Sequence, residues 1–340
     1  MNSKGRYTFI IVAYKQEQYI IEALESVRYQ IERFGNGRKY QLIIADDYSE
    51  DNTRNLIEYW ISVYKGLFTE VTKVYQSQNV GTCRNLADAL QCINGDYFYS
   101  IGGDDMFSYV DIFSELECHK DIEILMCPSV IIENGLVRRD WKSYRAMVAQ
   151  SGYEDRYIDW AIGLGGTFLT GTAWNNRVNT KEVMEFMSGF GLYDDVPRYY
   201  AIWKYIQPIR YTYLNKPLMI YRRNARSVSS LNGNMTVALN ADTERFYKYV
   251  AENSSDFFYK IAARMKGMSM AMRGYPLLNK IRYISPYYFG KLLFEIKAHK
   301  QMKETYADFI ADYANEAQEY VDYIHAQTQR FIGEYEDSKV

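Results

Sequence analysis

Four short apolar runs in the first third of the chain constrain its fold more than any other feature. Tyr7–Ala13 and Tyr40–Ala45 are apolar without alternation, which is typical of strands buried on both faces. Val71–Gln76 is a shorter run, and Tyr97–Ile101 ends at the turn signal Gly102-Gly103. Segments with helical spacing separate the four runs, so the sequence predicts an α/β fold with a mostly parallel sheet and helices on both faces.

The remaining elements are less regular. The pattern predicts a strand over Ile122–Ile132 and a largely helical chain after Ser230, with caps at Asp242 and at Ser285-Pro286. The predicted helices before that point are Asp111–His119, Thr180–Gly189 and Tyr199–Ile206. These patterns divide the chain into a first domain over residues 1–230, with halves 1–130 and 131–230, and an α-helical C-terminal extension over 231–340.

Polar side chains follow three of the apolar runs at the point where each run ends. Tyr14 follows the first, the pair Asp46-Asp47 follows the second, and the pair Asp104-Asp105 follows the fourth. Because parallel strands end at one edge of a sheet, where open α/β sheets bind ligands, these residues are expected to lie together. Hard carboxylate oxygens suit Mg²⁺ or Mn²⁺, completed by substrate phosphates. The alternative is that the acids only cap the helices that follow.

Composition and charge argue against some classes of protein and indicate where in the cell the chain is expected. A formal net charge of −2 argues against a general nucleic-acid binder. Met1 leads directly into a strand without a signal peptide, and no apolar stretch reaches the roughly 18 residues that a transmembrane helix needs. The four cysteines form no C-x-x-C pair. We therefore expect a cytoplasmic protein, either soluble or peripheral at the inner face of the cell membrane.

Five motifs occur in an order that resembles the family 2 glycosyltransferases, inverting enzymes with the GT-A fold. They are Ile10-Ile-Val-Ala-Tyr14, Asp46-Asp-Tyr-Ser-Glu-Asp-Asn-Thr53, Asn79-Val-Gly-Thr-Cys-Arg-Asn85, Gly95-Asp-Tyr97 and Gly103-Asp-Asp105. The resemblance is strong over about the first 130 residues and looser to about residue 230. It implies a GT-A type fold with a Rossmann-like sheet.

The resemblance also implies roles for individual residues. Those matched to the nucleotide-sugar site are Ala13, Tyr14, Glu17, Asp47, Arg84, Asp104 and Asp105, with Asp104 and Asp105 also as ligands of Mn²⁺ or Mg²⁺. One arginine of the segment Tyr221–Ser229, either Arg222, Arg223 or Arg226, could cover the diphosphate, and Arg222 is the one that we assign to the site. The sequence departs from the family pattern at three positions. Lys15 stands where asparagine is frequent, Gly102 stands where many members carry the first acid, and Asn224 replaces a histidine.

Inversion requires a carboxylate that takes the proton of the acceptor hydroxyl. Asp194-Asp195, before Val196-Pro197, resembles the family's Glu-Asp motif, and Asp195 matches the catalytic base. The alternative is that these acids cap the following helix, and Pro197 fits both interpretations.

The C-terminal region contains two patterned stretches. Residues 260–303 hold ten Lys or Arg and a single acid, Glu295, among aromatic and aliphatic residues. This composition suits a helix lying on anionic lipid, or alternatively a solvated helical face against the catalytic domain. Over 306–324 the apolar residues alternate spacings of four and three, which predicts internal docking or a homo-oligomer contact.

Together these features predict a metal-dependent hexosyltransferase. It would move sugar from a UDP-sugar to a glycan or lipid-linked glycan, in bacterial capsular or cell-surface polysaccharide synthesis, as the resemblance implies. A nucleotidyltransferase is the enzymatic alternative, but Val12-Ala-Tyr-Lys-Gln-Glu17 lacks the Gly-rich phosphate loop expected there. A non-catalytic sugar- or lipid-binding scaffold on the same fold is the other alternative.

Overall fold

The computed structural model describes residues 5–138, 171–192, 195–214, 216–224, 234–271, 280, 284 and 286–339. Its strands are β1 (Arg6–Ala13), β2 (Lys39–Asp46), β3 (Glu70–Tyr75), β4 (Tyr97–Gly102), β5 (Met106–Phe107), β6 (Ile124–Cys127), β7 (Ser129–Glu133), β8 (Leu136–Arg138), β9 (Gly171–Asn175), β10 (Tyr211–Tyr213) and β11 (Met219–Arg223). Its α-helices are α1 (Ile20–Phe34), α2 (Thr53–Tyr64), α3 (Thr82–Leu90), α4 (Ile112–Cys118), α5 (Lys181–Ser188), α6 (Asp195–Tyr205), α7 (Asn234–Asn253), α8 (Phe257–Ala271) and α9 (Pro286–Asp337). Short 3₁₀ turns lie at Lys65–Leu67 and Asn176–Val178.

The larger sheet has seven strands within the described residues, in the order β10-β6-β9-β4-β1-β2-β3. Strand β1 pairs in parallel with β2 and β4, and β2 pairs in parallel with β3. Strand β9 is antiparallel to both of its neighbours, β4 and β6. The predicted mostly parallel sheet is therefore confirmed, with one inserted antiparallel strand.

Both faces of this sheet are covered, as the unbroken apolar strands predict. Successive residues of β1 point to opposite sides, so Ile10 and Ile11 belong to different core clusters. Ile11 packs in the cluster that includes Leu24 of α1, and Ile10 in the cluster that includes Leu86 of α3. Helices therefore pack against both faces, which leaves the ends of the strands as the edge open to a ligand.

The predicted strand over Ile122–Ile132 is wrong as one element. Pro128 separates β6, which joins the larger sheet, from β7, which joins a smaller sheet ordered β5-β11-β7-β8. Proline has no backbone N–H to donate to a ladder, so pairing stops there and the chain passes to the second sheet. In the smaller sheet β11 pairs with β5, the strand that follows the acid pair Asp104-Asp105 directly in sequence.

The long helix α9 covers the smaller sheet. Ala317, Tyr320, Val321 and Ile324 pack in one buried cluster with Met106, Val130, Ile132 and Ile220. The Tyr320 hydroxyl donates to the carbonyl oxygen of Phe107 at 2.7 Å. The described part of the 306–324 stripe therefore docks internally, the first of the two alternatives. Among the described helices, none combines the length and the apolar content required to span a membrane.

Candidate functional site

Strands β2, β1 and β4 end at the same level of the larger sheet. Ala13 lies opposite Asp46, and Val12 lies opposite Gly102. Beyond these pairs, the N–H of Asp47 donates to the Ala13 carbonyl at 2.9 Å, and the N–H of Gly103 donates to the Val12 carbonyl at 2.8 Å. The structure thus brings the tip that carries Tyr14 between the two acid pairs, as the sequence predicts.

Tyr14 presents its ring at this edge, with 41% of the residue exposed. The next residue, Lys15, has φ of 54°, and its N–H donates to the Ser49 hydroxyl at 2.8 Å. Asparagine tolerates this left-handed conformation better than lysine does, so the departure from the family pattern at Lys15 falls on a position with a demanding backbone conformation. An exposed aromatic ring beside the acids can stack on a nucleobase, and the exposure of Tyr14 agrees with this role. The contact with the base itself stays a prediction.

The first acid pair is occupied by contacts within the protein. Asp46 is fully buried, accepts from the backbone N–H of Ser49 at 3.0 Å, and forms an ion pair with Arg54. Asp47 is 4% exposed, and its two oxygens accept from the N–H groups of Val80, at 2.6 Å, and Gly81, at 2.9 Å. Burial raises the pKa of Asp47 and the two backbone donors oppose that shift. The predicted base contact of Asp47 stays a prediction.

Glu17 and Arg84 also have partners. An oxygen of Glu17 accepts from the N–H of Asn52 at 3.0 Å, just before α2. Arg84 lies in the first turn of α3 and pairs with Asp88 at 2.9 Å, with 54% of its side chain exposed. Arg84 is therefore accessible to an anionic ligand, whereas Glu17 fastens the loop after β1 to the start of α2.

The second acid pair is arranged differently. Asp105 is 6% exposed, and its Oδ1 accepts from the N–H of Arg222 at 2.8 Å. Asp104 is partly exposed, and its Oδ2 accepts from the side-chain amide of Asn224 at 2.9 Å. Burial, with a smaller contribution from the charge of Asp104, holds the pKa of Asp105 well above its usual range. Of the two carboxylates, that of Asp104 is the one placed to reach a ligand.

Both carboxylates lie over Gly102. A methyl group added to Gly102 would lie 2.9 Å from Oδ1 of Asp104 and 3.3 Å from Oδ2 of Asp105. A side chain at this position would therefore displace the acids. Gly102 departs from the family pattern, in which an acid is frequent at this position. In this chain the carboxylates of Asp104 and Asp105 occupy the space that a side chain at residue 102 would need.

Arg222 joins this acid pair to the C-terminal helix. Its Nε donates to the Asp104 carbonyl at 2.8 Å, and its guanidinium forms an ion pair with Glu22. The other oxygen of Glu22 lies 2.9 Å from Nδ1 of His325 in α9. Arg222 is 7% exposed, so these contacts make it a positioning residue, and its predicted contact with the diphosphate stays a prediction.

The donors present fit a divalent cation shared with a diphosphate. Asp104 offers carboxylate oxygens and Asn224 an amide group, the hard donors that Mg²⁺ and Mn²⁺ accept. The described residues contain no cluster of three or more His, Cys, Asp or Glu that could enclose an ion by themselves. The arrangement suits an ion held by few protein ligands and completed by substrate phosphates.

The predicted base lies at the border of the described chain. Asp194 is outside the described residues, and Asp195 begins α6, although its side chain is not among those described. A helix that starts at Asp195 agrees with both interpretations, a catalytic base and a helix cap. The choice between them stays a prediction.

The loop before Asp195 is fixed from two sides. The carbonyl of Gly191 accepts from the N–H of Cys83 at 3.0 Å, and Gly81, with φ of +88°, leaves no room for a side chain against that carbonyl. Asp242 accepts from the N–H of Gly191 at 2.8 Å and of Leu192 at 2.7 Å. The prediction of Asp242 as a helix cap is wrong, because it lies inside α7 and its carboxylate holds this loop.

Sequence reasoning missed two residues of this site. Tyr48 is 41% exposed with φ of 64°, so a second aromatic ring stands beside the first acid pair. Glu22 is 8% exposed on the apolar face of α1, between Ile21 and Ala23. An acid on the predicted buried face of a helix was the available signal, since such a charge needs a partner.

Comparison with known proteins extends this description. The model of the family described as glycosyl transferase family 2 matches residues 8–180. An uncharacterized protein from Mycobacterium bovis is 32% identical over 101 residues, which is 30% of this chain and 27% of that protein. An uncharacterized glycosyltransferase from Mycoplasma pneumoniae is 31% identical over 120 residues, 35% of this chain and 38% of that protein. The chain thus spans between about a quarter and two fifths of these relatives.

Solved structures agree at the level of the fold. TarS from S. aureus, crystallised as a fragment with UDP-GlcNAc, superposes with a TM-score of 0.55 and 14% identity, covering 95% of this chain and 92% of that one. A longer TarS structure gives a TM-score of 0.54 and 14% identity, covering 93% of this chain and 55% of that chain. These similarities show a GT-A fold.

Proposed function

Because the chain belongs to glycosyl transferase family 2, we propose that it is an inverting glycosyltransferase that moves a sugar from a UDP-sugar to a hydroxyl group of a glycan acceptor. The observation that carries this proposal is the level ending of β2, β1 and β4, which places Tyr14 and Asp104 at one sheet edge. A TarS fragment of the same fold binds UDP-GlcNAc, which supports a UDP-sugar as donor.

Each residue at this edge has a distinct part in the proposal. Tyr14 stacks on the uracil ring, and Arg84 approaches the diphosphate from the first turn of α3. Asp104, oriented by the amide of Asn224, is the ligand for Mn²⁺ or Mg²⁺. Asp105 supports Asp104 through its hydrogen bond to the backbone of Arg222.

The reaction needs one proton transfer and one displacement. Asp195 takes the proton of the acceptor hydroxyl group. The oxygen of that hydroxyl group forms a bond to the anomeric carbon, on the side opposite the departing UDP. The bond between that carbon and the diphosphate oxygen breaks, and its electron pair leaves with UDP. A bound divalent cation would neutralise the charge that develops on the diphosphate.

Membership of the family supports a proposal for the setting, the acceptor and the transferred sugar. We place the protein in the cytoplasm, in the synthesis of a bacterial capsular or cell-surface polysaccharide, with a glycan or lipid-linked glycan as acceptor. The transferred sugar is a hexose.

Substitution of the proposed base is the sharpest test. Asp195→Asn should lower the transfer rate by about 10²- to 10⁴-fold, because a general base contributes that much, and should leave UDP affinity unchanged. Glu185→Gln, on the exposed side of the neighbouring helix α5, is the matched control and should keep full activity. Transfer by Asp195→Asn at the control's rate would refute the base assignment.

A panel of UDP-, GDP- and dTDP-sugars, assayed with Mn²⁺, tests the donor. Release of UDP from a UDP-sugar is expected. Pyrophosphate as the product would indicate a nucleotidyltransferase, and binding without turnover would indicate a scaffold. Preference for GDP- or dTDP-sugars would contradict the assignment of the base contacts.

A further inference from the structure

Exposed apolar side chains are concentrated in one stretch of the C-terminal region. Of the fourteen large hydrophobic residues that are exposed among the described side chains, seven lie between residues 257 and 296. They are Phe257, Phe258, Met268, Ile284, Phe289, Leu293 and Ile296. Single exposed apolar residues are ordinary on a protein surface, but exposed apolar area that is contiguous is typical of interaction sites, so the arrangement of these residues matters.

Three of these residues form a stripe on the first turns of α9. Phe289, Leu293 and Ile296 are 51%, 52% and 59% exposed. Their spacing of four and three places them on one helical face. The same helix, further along, uses the same spacing at Ala317, Tyr320 and Ile324 to pack against the protein's own core. The first turns of α9 thus present an apolar face that the described part of the protein leaves in solvent.

The stretch that carries these residues is also the most basic part of the chain. Residues 260–303 contain ten Lys or Arg and one acid, whereas the remaining residues contain 30 Lys or Arg and 41 Asp or Glu. Among the described side chains, Arg264 and Lys280 are exposed and Lys260 is partly exposed. Positive charge and exposed apolar area therefore coincide in a protein that is otherwise acidic.

We propose that the apolar stripe of Phe289, Leu293 and Ile296, together with the exposed basic side chains of the same stretch (Arg264, Lys280 and the partly exposed Lys260), docks on an anionic lipid bilayer. Apolar side chains enter the boundary between headgroups and acyl chains, while Lys and Arg attract the anionic headgroups. A second copy of the chain is a poorer occupant, because self-association through this surface would bring two strongly positive stretches together. The proposal goes beyond sugar transfer and does not depend on it.

Vesicle co-sedimentation of the full chain, without donor or acceptor, tests the proposal. Vesicles of phosphatidylcholine with phosphatidylglycerol should bind the protein at low salt, and binding to pure phosphatidylcholine should be weaker by about tenfold or more. High salt should weaken binding to the anionic vesicles, since it screens the attraction. No binding to anionic vesicles, or equal binding to both kinds, would overturn the proposal.

Variants separate the apolar and the electrostatic contributions. Phe289→Ala, Leu293→Ala and Ile296→Ala together should lower anionic-vesicle affinity by about tenfold or more, and alanine preserves the helix. Lys260→Gln, Arg264→Gln and Lys280→Gln should lower it by about fivefold for each charge removed, as about 1 kcal/mol per charge implies. Val63→Ala, Leu136→Ala and Val237→Ala, exposed apolar residues elsewhere, form the matched control and should bind as the wild type does.

The self-association alternative has its own readout. Circular dichroism and thermal unfolding verify that each variant is folded. In sedimentation velocity without vesicles, the wild type and the apolar triple variant should have the same mass. A dimeric wild type that becomes monomeric in the triple variant would identify a second copy as the occupant and overturn the proposal. A failed transfer assay would not affect these results, since they require no catalysis.

Discussion

Asp46 ends strand β2 and Asp47 follows it, while Asp104 and Asp105 follow β4, with only β1 between the two strands. In the first pair both carboxylates are buried. That of Asp46 forms an ion pair with Arg54, and that of Asp47 accepts hydrogen bonds from the backbone N–H groups of Val80 and Gly81. In the second pair only Asp105 is buried, and Asp104 is partly exposed with an amide partner. Two similar acid pairs at one sheet edge thus differ in how much of each remains available to a ligand.

The difference shows how such an edge can be both rigid and reactive. Three of the four carboxylates bind loops or cations of the protein itself, which fixes the positions of the loops around the cleft. The fourth, that of Asp104, is the partly exposed one and accepts from the amide of Asn224. We therefore expect substitutions in the first pair to change stability and substitution of Asp104 to change catalysis.

The largest expected effect is that of Asp104→Asn. Loss of the carboxylate ligand should lower kcat/KM by about three orders of magnitude, equivalent to about 4 kcal/mol of transition-state stabilisation. The melting temperature should change little, because Asp104 is partly exposed. Turnover and thermal unfolding measured on the same sample check this. A variant that loses stability but keeps wild-type turnover would place Asp104 with the structural acids.

Asp46→Asn should have the opposite profile. It removes the buried partner of Arg54, whose side chain is 29% exposed, and should lower the free energy of unfolding by about 2–3 kcal/mol after allowance for solvent screening. Turnover per folded molecule should stay near that of the wild type. Urea denaturation gives the first quantity and active-site titration the second. Full stability with lost turnover would show that Asp46 acts on the substrate.

Asp47→Asn should be milder and should change the pH dependence of stability. An amide can accept from only one of the two N–H donors, which should cost about 1–3 kcal/mol in the free energy of unfolding. The pKa of Asp47 is raised by folding, so the folded state binds its proton more tightly. Wild-type stability should therefore fall as pH rises from the unfolded pKa, about 3.9, toward the folded one.

The variant should lack this component, because the amide does not titrate. Urea denaturation at a series of acidic pH values measures the slope for both proteins. Equal slopes in the two would show that Asp47 has the same pKa in the folded and unfolded states.

The smallest expected effect is that of Asn224→Ala. It removes one hydrogen bond to Asp104, worth about 1 kcal/mol, and should raise the Mn²⁺ concentration for half-maximal activity by about fivefold. The free energy of unfolding should fall by no more than about 1 kcal/mol, the contribution of that hydrogen bond. Turnover measured over a series of Mn²⁺ concentrations, for the wild type and the variant, checks this prediction. An unchanged metal requirement would show that the amide does not orient Asp104.

Much of this arrangement follows from local sequence. The apolar runs of β1, β2 and β4 predict their burial, and parallel pairing of such runs places Tyr14 and both acid pairs at one edge. Local patterns could not predict which acid is buried. The burial of Asp105 and the contact of Asp104 depend on Arg222 and Asn224, which are more than a hundred residues away in sequence. They also depend on the passage of the chain at Pro128 from the larger sheet to the smaller one, where β7 pairs with the strand that carries Arg222.

Other features were hidden for similar reasons. The spacing around Asp242 is that of a helix start, but the residue lies inside α7, and its carboxylate accepts from the backbone N–H groups of Gly191 and Leu192 instead of capping its own helix. The positive φ of Tyr48 is set by the turn that Asp46 and Ser49 form, which propensity alone does not reveal.

The attachment of α9 to the smaller sheet has a consequence for how the protein is made. Tyr320, Ile324, Phe331 and Tyr335 complete two cores, the larger of which is built mostly from residues of the first half of the chain. During translation those early strands leave the ribosome long before the helix that covers them. Until about residue 335 has emerged, the apolar surface that α9 covers is exposed on the nascent chain, which makes that stage of synthesis the one most prone to aggregation.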